Sequence, residues 1–363
     1  DKILMADGFI ELEVEKIKNQ KIYSKVIQGG ILKERKGINI PLNLDMDTIT
    51  DKDKDDIKFG LEHSVDYIGL SFVKSAADID KLRDIIADFK RENENITQTP
   101  GIISKIERPE AIKKENLENI IKNSDGIMIA RGDLGVELPL EKVPNIQNKI
   151  IRYCKRLSKP VIIATQMLYT MTTATRPTRA EVADIYNSIL SGADCLMLSD
   201  ETAIGSHPIK TIETFDKIIR EAEKDISKIS QQQPINDYQR KDIAHAVADA
   251  ACQLATVVNA KAIISFTMSG FTALLISKNK PSIDILAITP QESVVKRLAL
   301  YWGVDAELES GVKDTDEIIS TSERVVLRRN MAKNGDTIVI TAGIPIPFTG
   351  ITNLIKVHKI KSE

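Results

Sequence analysis

Between positions 67 and 198 the chain repeats one pattern: a short, almost wholly apolar run, then a stretch whose apolar residues recur at helical spacing. The apolar runs fall at 67–72, 101–106, 126–130, 160–165 and 195–198. Strands that are apolar on both faces and separated by amphipathic helices predict a parallel sheet. The unit recurs about five times before a helix expected over 211–226, whereas a closed (β/α) barrel needs eight. Two architectures fit: an open sheet, or a barrel whose first strands are missing from this sequence.

The flanking segments follow other periods. Residues 1–40 alternate apolar and polar positions, as in Ile10-Glu11-Leu12-Glu13-Val14, with Asp7-Gly8 and Gly29-Gly30 as punctuation; this predicts short strands joined by tight turns. From Thr50 the period becomes helical. Thr50 and Asp53 occupy capping-box positions, and Ile57, Leu61 and Val65 follow at helical spacing, so the charged run 51–56 reads as a solvated helix start. The polar stretch Ser230-Gln231-Gln232-Gln233-Pro234-Ile235-Asn236-Asp237 predicts a linker and a domain boundary. Beyond it Ile243, Val247, Ala250, Ala251, Leu254 and Val258 form one helical stripe. Strands expected at 262–266, 283–288, 337–341 and 354–360 alternate with helices and predict a second α/β domain.

Composition narrows the class. With 363 residues, 42% hydrophobic and 28% charged, the chain is an ordinary globular protein of two or three domains. Its 50 Lys and Arg against 52 Asp and Glu leave a charge of -2, so no global field draws it to nucleic acid or anionic lipid, and neither partner is expected. Cys154, Cys195 and Cys252 form no C-x-x-C pair, which excludes a disulfide framework and points to a reducing, cytoplasmic compartment. No apolar run approaches the roughly 20 residues of a membrane span. The opening Asp1-Lys2-Ile3-Leu4 carries no Met and no signal-peptide pattern, so the sequence is expected to be a fragment.

In parallel βα repeats the carboxyl ends of the strands line the active site. Those ends carry Ser71, Lys105 and Glu107, Arg131 and Asp133, Thr165, then Ser199 and Glu201. Lys105 and Glu107 stand two residues apart on a strand, so both point to one side. Glu107 and Asp133 supply two hard oxygen ligands suited to Mg²⁺ or Mn²⁺. A single such residue is as readily an ion pair closing the end of the sheet, but four consecutive strand ends bearing polar groups point to a site. Arg131-Gly132-Asp133 reads as a turn after an apolar strand rather than an adhesion tripeptide. A lysine beside a divalent ion stabilises charge on phosphoryl or enolate oxygens, and a nearby hydroxyl can relay a proton. Phosphoryl transfer or enolate chemistry follows. No G-x-S-x-G, H-E-x-x-H or Walker motif is present, and His63, His207, His245 and His358 lie away from the strand ends.

Several blocks resemble one family. Ile102-Ile103-Ser104-Lys105-Ile106-Glu107 is similar to the active-site signature of pyruvate kinase, and Ile129-Ala130-Arg131-Gly132-Asp133-Leu134-Gly135-Val136-Glu137 resembles a second specific block. Ala164-Thr165-Gln166-Met167-Leu168, Arg176-Pro177-Thr178-Arg179-Ala180-Glu181-Val182 and Gly192-Ala193-Asp194-Cys195-Leu196-Met197-Leu198-Ser199 follow in order. Leu298-Ala299-Leu300-Tyr301-Trp302-Gly303-Val304 and Thr352-Asn353-Leu354-Ile355-Lys356-Val357 extend the likeness over essentially the whole chain.

The resemblance implies a partial TIM (β/α)₈ barrel preceded by part of a small β lid domain and followed by an α/β C-terminal domain. Residues 1–40 would be the end of the lid, 41–229 barrel strands four to eight, and 238–363 the effector and oligomerisation domain. It implies transfer of phosphate from phosphoenolpyruvate to ADP in glycolysis, giving pyruvate and ATP. Lys105 and Thr165 would be catalytic, with Thr165 in the proton relay. Ser71, Lys105, Gly132, Asp133 and Thr165 would bind substrate, and Glu107 and Asp133 the Mg²⁺ or Mn²⁺. K⁺ would be held by ligands outside this chain. Thr267, Ser269, Gly270 and Thr272 would receive a sugar-phosphate effector, and the complete protein would be a cytoplasmic homotetramer.

Departures from the family pattern are Asp200 in place of a usual glycine, Ile204, Tyr169 and Thr170, and Pro347 with Phe348 near the C-terminus. Absent barrel strands lead to the expectation that this chain alone is inactive. The competing readings are a catalytically dead binding or oligomerising fragment, and another phosphoenolpyruvate-handling barrel enzyme.

Overall fold

Alternation in the first forty residues builds an antiparallel sheet of four strands, β1 (Lys2–Met5), β2 (Ile10–Lys18), β3 (Lys21–Gln28) and β4 (Ile38–Asn39), in the order β3-β2-β1-β4. The computed structural model describes residues 1–6, 8–32, 34, 37–40, 47–230, 242–345 and 352–361. Asp7, the linker positions after Ser230, Pro347 and Phe348 lie outside them. A tight turn joins β2 to β3 at Asn19-Gln20, both left-handed with φ 51° and 58°, and Gly29-Gly30 follows directly on β3. Two successive left-handed residues match the twist of paired strands, and asparagine tolerates that region. Thr50 caps the helix Asp51–Glu62 as its spacing predicts: the Thr50 amide donates to Asp53 Oδ2 at 2.7 Å, and the Asp53 amide to Thr50 Oγ1 at 3.2 Å.

The five apolar runs become β5 (Tyr67–Leu70), β6 (Gly101–Ile106), β7 (Gly126–Ala130), β8 (Val161–Ala164) and β9 (Cys195–Met197), neighbours in chain order in one sheet. Helices Ala76–Glu92, Lys114–Asn123, Val143–Arg156 and Arg179–Leu190 make the crossovers. Parallel strands adjacent in chain order with helical crossovers are the arrangement of consecutive (β/α) barrel strands. β5 and β8 end before their apolar runs do, because Phe72 and Thr165 take left-handed backbone, φ 55° and 72°. β7 ends at Ala130, and Arg131-Gly132-Asp133, read above as a turn, instead opens the helix Arg131–Glu137. Leu134, fully buried, anchors that helix.

The C-terminal region forms a second sheet, β10 (Ala262–Phe266), β11 (Asp284–Thr289), β12 (Val304–Leu308), β13 (Thr337–Ala342) and β14 (Leu354–Lys359), in the order β12-β11-β10-β13-β14. β14 runs antiparallel to β13, and the other pairs are parallel. β12 escaped the sequence pattern because it is an edge strand with Asp305 and Glu307 among its five residues. The helix Ile243–Val257 buries Ala248, Ala251, Cys252 and Ala255, while Ile243 is 59% exposed. Its buried stripe is thus rotated from the predicted one. Small side chains let the helix approach Ile263, Ile285 and Val339 closely, and that packing outweighs the larger apolar residues on its flank.

The chain packs as two compact units: Asp1–Tyr153 with Ile163–Tyr169 and Met197–Asp200, and Cys154–Ile162 with Thr170–Leu196 and Glu201–Glu363. The second unit buries a charge cluster. Asp194 accepts from Lys278 Nζ at 2.5 Å, Lys280 Nζ at 2.8 Å and the Val161 amide at 2.9 Å. Burial opposes ionisation of Asp194, but the Lys278 and Lys280 charges outweigh it and hold the carboxyl below its usual range. Burial also pushes Lys280 down to about 8, against the pull of Asp194. As pH falls, the unfolded chain therefore takes up this proton before the folded one does. Lys280 lowers stability below about pH 8, and the loss is relieved as pH rises toward the ordinary lysine value of 10.5.

Trp302, the sole tryptophan, has its ring centroid 4.8 Å from Lys280 Nζ. Its emission is expected to change with a midpoint near pH 8 in the native protein and to lose that step in Lys280→Met. Emission that stays flat through this pH would show that the Lys280 ammonium keeps its proton.

Candidate active site

Register places the first pair of groups. Leu70 lies opposite Ser104 in the parallel β5–β6 ladder, so the next residues outward, Ser71 and Lys105, are neighbours. Lys105 Nζ donates to Ser71 Oγ at 3.0 Å. Lys105 and Glu107 do point to one side, as strand parity predicts, with Nζ 2.7 Å from Glu107 Oε1. Glu107 is 1% exposed, and its Oε2 accepts the Phe72 amide at 2.6 Å. Burial pushes the Glu107 carboxyl above its usual range, the Lys105 charge and hydrogen bonds pull it back, and the Asp133 charge adds to the rise.

Thr165 gathers a second set. Its Oγ1 accepts the Gly132 amide at 2.8 Å and donates to the Ala164 carbonyl at 2.6 Å. Arg131 Nη2 donates to the Thr165 carbonyl at 3.0 Å. Ser71, Lys105, Glu107, Gly132, Asp133 and Thr165 thus all lie in the first compact unit; Ser71, Lys105 and Glu107 form one linked set and Gly132 with Thr165 another, while the Asp133 charge is felt at Glu107. The Gly132 amide already has Thr165 as partner.

Three participants escaped sequence reasoning. Phe72 contributes a backbone amide, which no side-chain pattern advertises. Arg108 donates to Glu137 Oε1 at 2.9 Å and sets its guanidinium carbon over the Phe72 ring, 5.2 Å from the centroid. The available signal was a second charged residue, two positions past the end of β6, together with a glutamate closing the Arg131–Glu137 segment.

The residues fit a hard divalent ion. Glu107 Oε1 is buried with the Lys105 ammonium 2.7 Å away and no further hydrogen bond, which leaves lone-pair capacity on that oxygen for a cation. Among the described residues no three His, Cys, Asp or Glu side chains come together for a metal. Two carboxylates completed by water and substrate oxygens match the Mg²⁺ habit.

Other groups are inert by their surroundings. Cys154, Cys195 and Cys252 are free thiols, and burial pushes them up to about 12, 11 and 12, far from the thiolate a nucleophile needs. Ser158 Oγ lies 3.1 Å from His245 Nε2, and His245 Nδ1 2.8 Å from Asp242 Oδ1. Ser158 is only 5% exposed, however, and Asp242 is also the helix cap that accepts the His245 amide. This row is a capped and tethered helix start.

In the second unit the Thr267–Thr272 loop turns at left-handed Gly270, whose amide donates to Thr267 Oγ1 at 2.9 Å. Thr267, Ser269 and Thr272 line a cavity of about 660 Å³, together with Arg297 and Glu309. Gly270 forms the turn behind them.

Parallel βα units in chain order, with a lysine and carboxylates at or just past the carboxyl ends of the strands, define a barrel-type α/β protein. Residues 1–212 match the family model for the pyruvate kinase barrel domain, and residues 245–358 the model for the pyruvate kinase alpha/beta domain. The chain belongs to the pyruvate kinase family. A pyruvate kinase of Staphylococcus haemolyticus is 40% identical over 366 residues, covering 99% of this chain and 61% of the relative. One of Clostridium acetobutylicum is 39% identical over 360 residues, covering 99% and 74%. The crystal structure of a pyruvate kinase from Cryptosporidium parvum superposes with a TM-score of 0.86 at 36% identity, covering 99% of this chain and 72% of that one. The chain spans about three-fifths of the length of the staphylococcal relative. Among the described residues no helix is long and apolar enough to cross a membrane.

Proposed function

We propose that the polypeptide carrying this chain transfers the phosphoryl group of phosphoenolpyruvate to ADP, giving pyruvate and ATP. The observation that carries the reading is the Lys105 ammonium, held 2.7 Å from the buried Glu107 carboxylate and 3.0 Å from the Ser71 hydroxyl. The bond from phosphorus to the enol oxygen breaks, a bond to the terminal phosphate oxygen of ADP forms, and the enolate carbon takes a proton. Lys105 and Ser71 receive the phosphoryl oxygens. Lys105 then neutralises the charge left on the enolate, which a preorganised cation does without reorganising. The Gly132 and Asp133 amides hold the substrate carboxylate, Gly132 exchanging its present Thr165 partner for it. Thr165 Oγ1, released from that amide, serves the proton relay. Glu107 and Asp133 hold Mg²⁺ or Mn²⁺, which when bound neutralises phosphoryl and enolate oxygens as a Lewis acid.

Family membership supports the rest of the reading: a lid contributed to by residues 1–40, K⁺ as a second cation, a cytoplasmic homotetramer, and a sugar-phosphate effector beside Thr267, Ser269, Gly270 and Thr272. Pyruvate formation from phosphoenolpyruvate and ADP by the full-length protein is the direct test, and its absence with Mg²⁺ supplied would refute the reading. Glu107→Gln and Asp133→Asn are each expected to weaken Mn²⁺ binding about tenfold or more, since one charged contact contributes roughly 1.5–3 kcal/mol. Titration calorimetry showing both variants unchanged would remove the metal assignment.

A further inference from the structure

Arg108 touches two elements on which the site depends. Its guanidinium carbon lies 5.2 Å from the centroid of the Phe72 ring, and its Nη1 donates to Glu137 Oε1 at 2.9 Å. The pair is well shielded, with side-chain exposures of 24% for Arg108 and 6% for Glu137. Phe72 gives its amide to Glu107 Oε2 from left-handed backbone, φ 55°. A bulky residue holds that conformation only where its surroundings impose it. Glu137 closes the helix that carries Gly132 and Asp133, and the opposite end of that helix is tied to Thr165 through the Gly132 amide.

We propose that Arg108 and Phe72 are positioning residues: Arg108 clamps the Phe72 ring to the far end of the Arg131–Glu137 helix, so that Glu107 and Asp133 are held together as one divalent-ion site. The proposal rests on the reading of those two carboxylates as the ion's ligands. A planar guanidinium stacks with its face and pairs with a carboxylate along its edge, and lysine cannot do both. An ion pair present for stability alone needs no ring beneath it. Here the same ring belongs to the residue whose amide fixes Glu107.

The test is Mn²⁺ titrated into the full-length protein, followed by calorimetry and by the electron-spin signal of the free ion. Arg108→Met is expected to weaken binding about 10- to 100-fold, the range for losing an outer partner of a metal ligand. Arg108→Lys, which keeps the charge opposite Glu137 but not the stacking, is expected to fall between that variant and wild type. Phe72→Gly accepts left-handed backbone freely and keeps the amide, so it is expected to stay folded and still bind more weakly, because the ring that Arg108 grips is gone. Glu107→Gln separates the two levels. If it loses affinity while Arg108→Met and Phe72→Gly bind as wild type does, the clamp is refuted and the ion site stands. If Glu107→Gln itself binds Mn²⁺ unchanged, the site reading falls and the clamp falls with it.

Discussion

Lys105→Met is expected to lower turnover of the full-length protein by about 10²- to 10³-fold, roughly 3–4 kcal/mol of transition-state stabilisation, the loss typical of one preorganised charge contact. Methionine keeps an unbranched stem where the Lys105 chain passes over Gly69, so packing changes little. What disappears is the ammonium 2.7 Å from Glu107 and 3.0 Å from Ser71. Glu107 then sits buried without its counter-charge, and burial already pushes its carboxyl up. The carboxyl can take a proton rather than unfold the site, so the expected signature is a fall in kcat with the melting temperature nearly unchanged. Wild-type turnover in Lys105→Met would exclude this residue from the mechanism and leave the ion pair a structural one.

Asp194→Ala is expected to have the largest effect on stability, about 3–5 kcal/mol, as removal of one partner from a buried ion pair commonly does. The side chains of Asp194, Lys278 and Lys280 are 1%, 8% and 9% exposed. Deleting the carboxylate leaves two buried ammonium groups and the Val161 amide without their shared acceptor. Adding Lys278→Met and Lys280→Met to Asp194→Leu is expected to recover much of the loss, because apolar side chains need no counter-charge. Urea unfolding of the three proteins measures this, and an Asp194→Ala midpoint equal to wild type would refute it. The acid side has a definite sign as well. The Asp194 carboxyl is held below its ordinary value of 3.8, so its contribution is complete above that pH and is lost as pH falls beneath it.

Neither cluster was equally visible beforehand. Lys105 and Glu107 could be paired from spacing alone, because a strand turns every second side chain to the same face, and the five apolar runs marked where strands would lie. The Thr50–Asp53 capping box was legible for the same reason: its partners are three residues apart. Asp194 attracted notice only inside a family block, since its partners stand 84 and 86 residues away. No local period links them.

What the sequence by itself determined, then, is a set of short-period features: the alternating strands at the start, the buried strands and their crossovers, and the facing of Lys105 with Glu107. Tertiary structure decided the features that depend on distant partners or on left-handed backbone. Arg131-Gly132-Asp133 became helix rather than turn with Leu134 buried beneath it. The helix Ile243–Val257 turned its alanines to the sheet rather than its larger residues. Phe72, unremarkable in an apolar run, stopped β5 with φ 55° and turned its amide on Glu107. Strand parity fixes which face a side chain takes, whereas the buried side of a helix, a hydrogen bond or a strained dihedral is settled by atoms that only folding brings within reach.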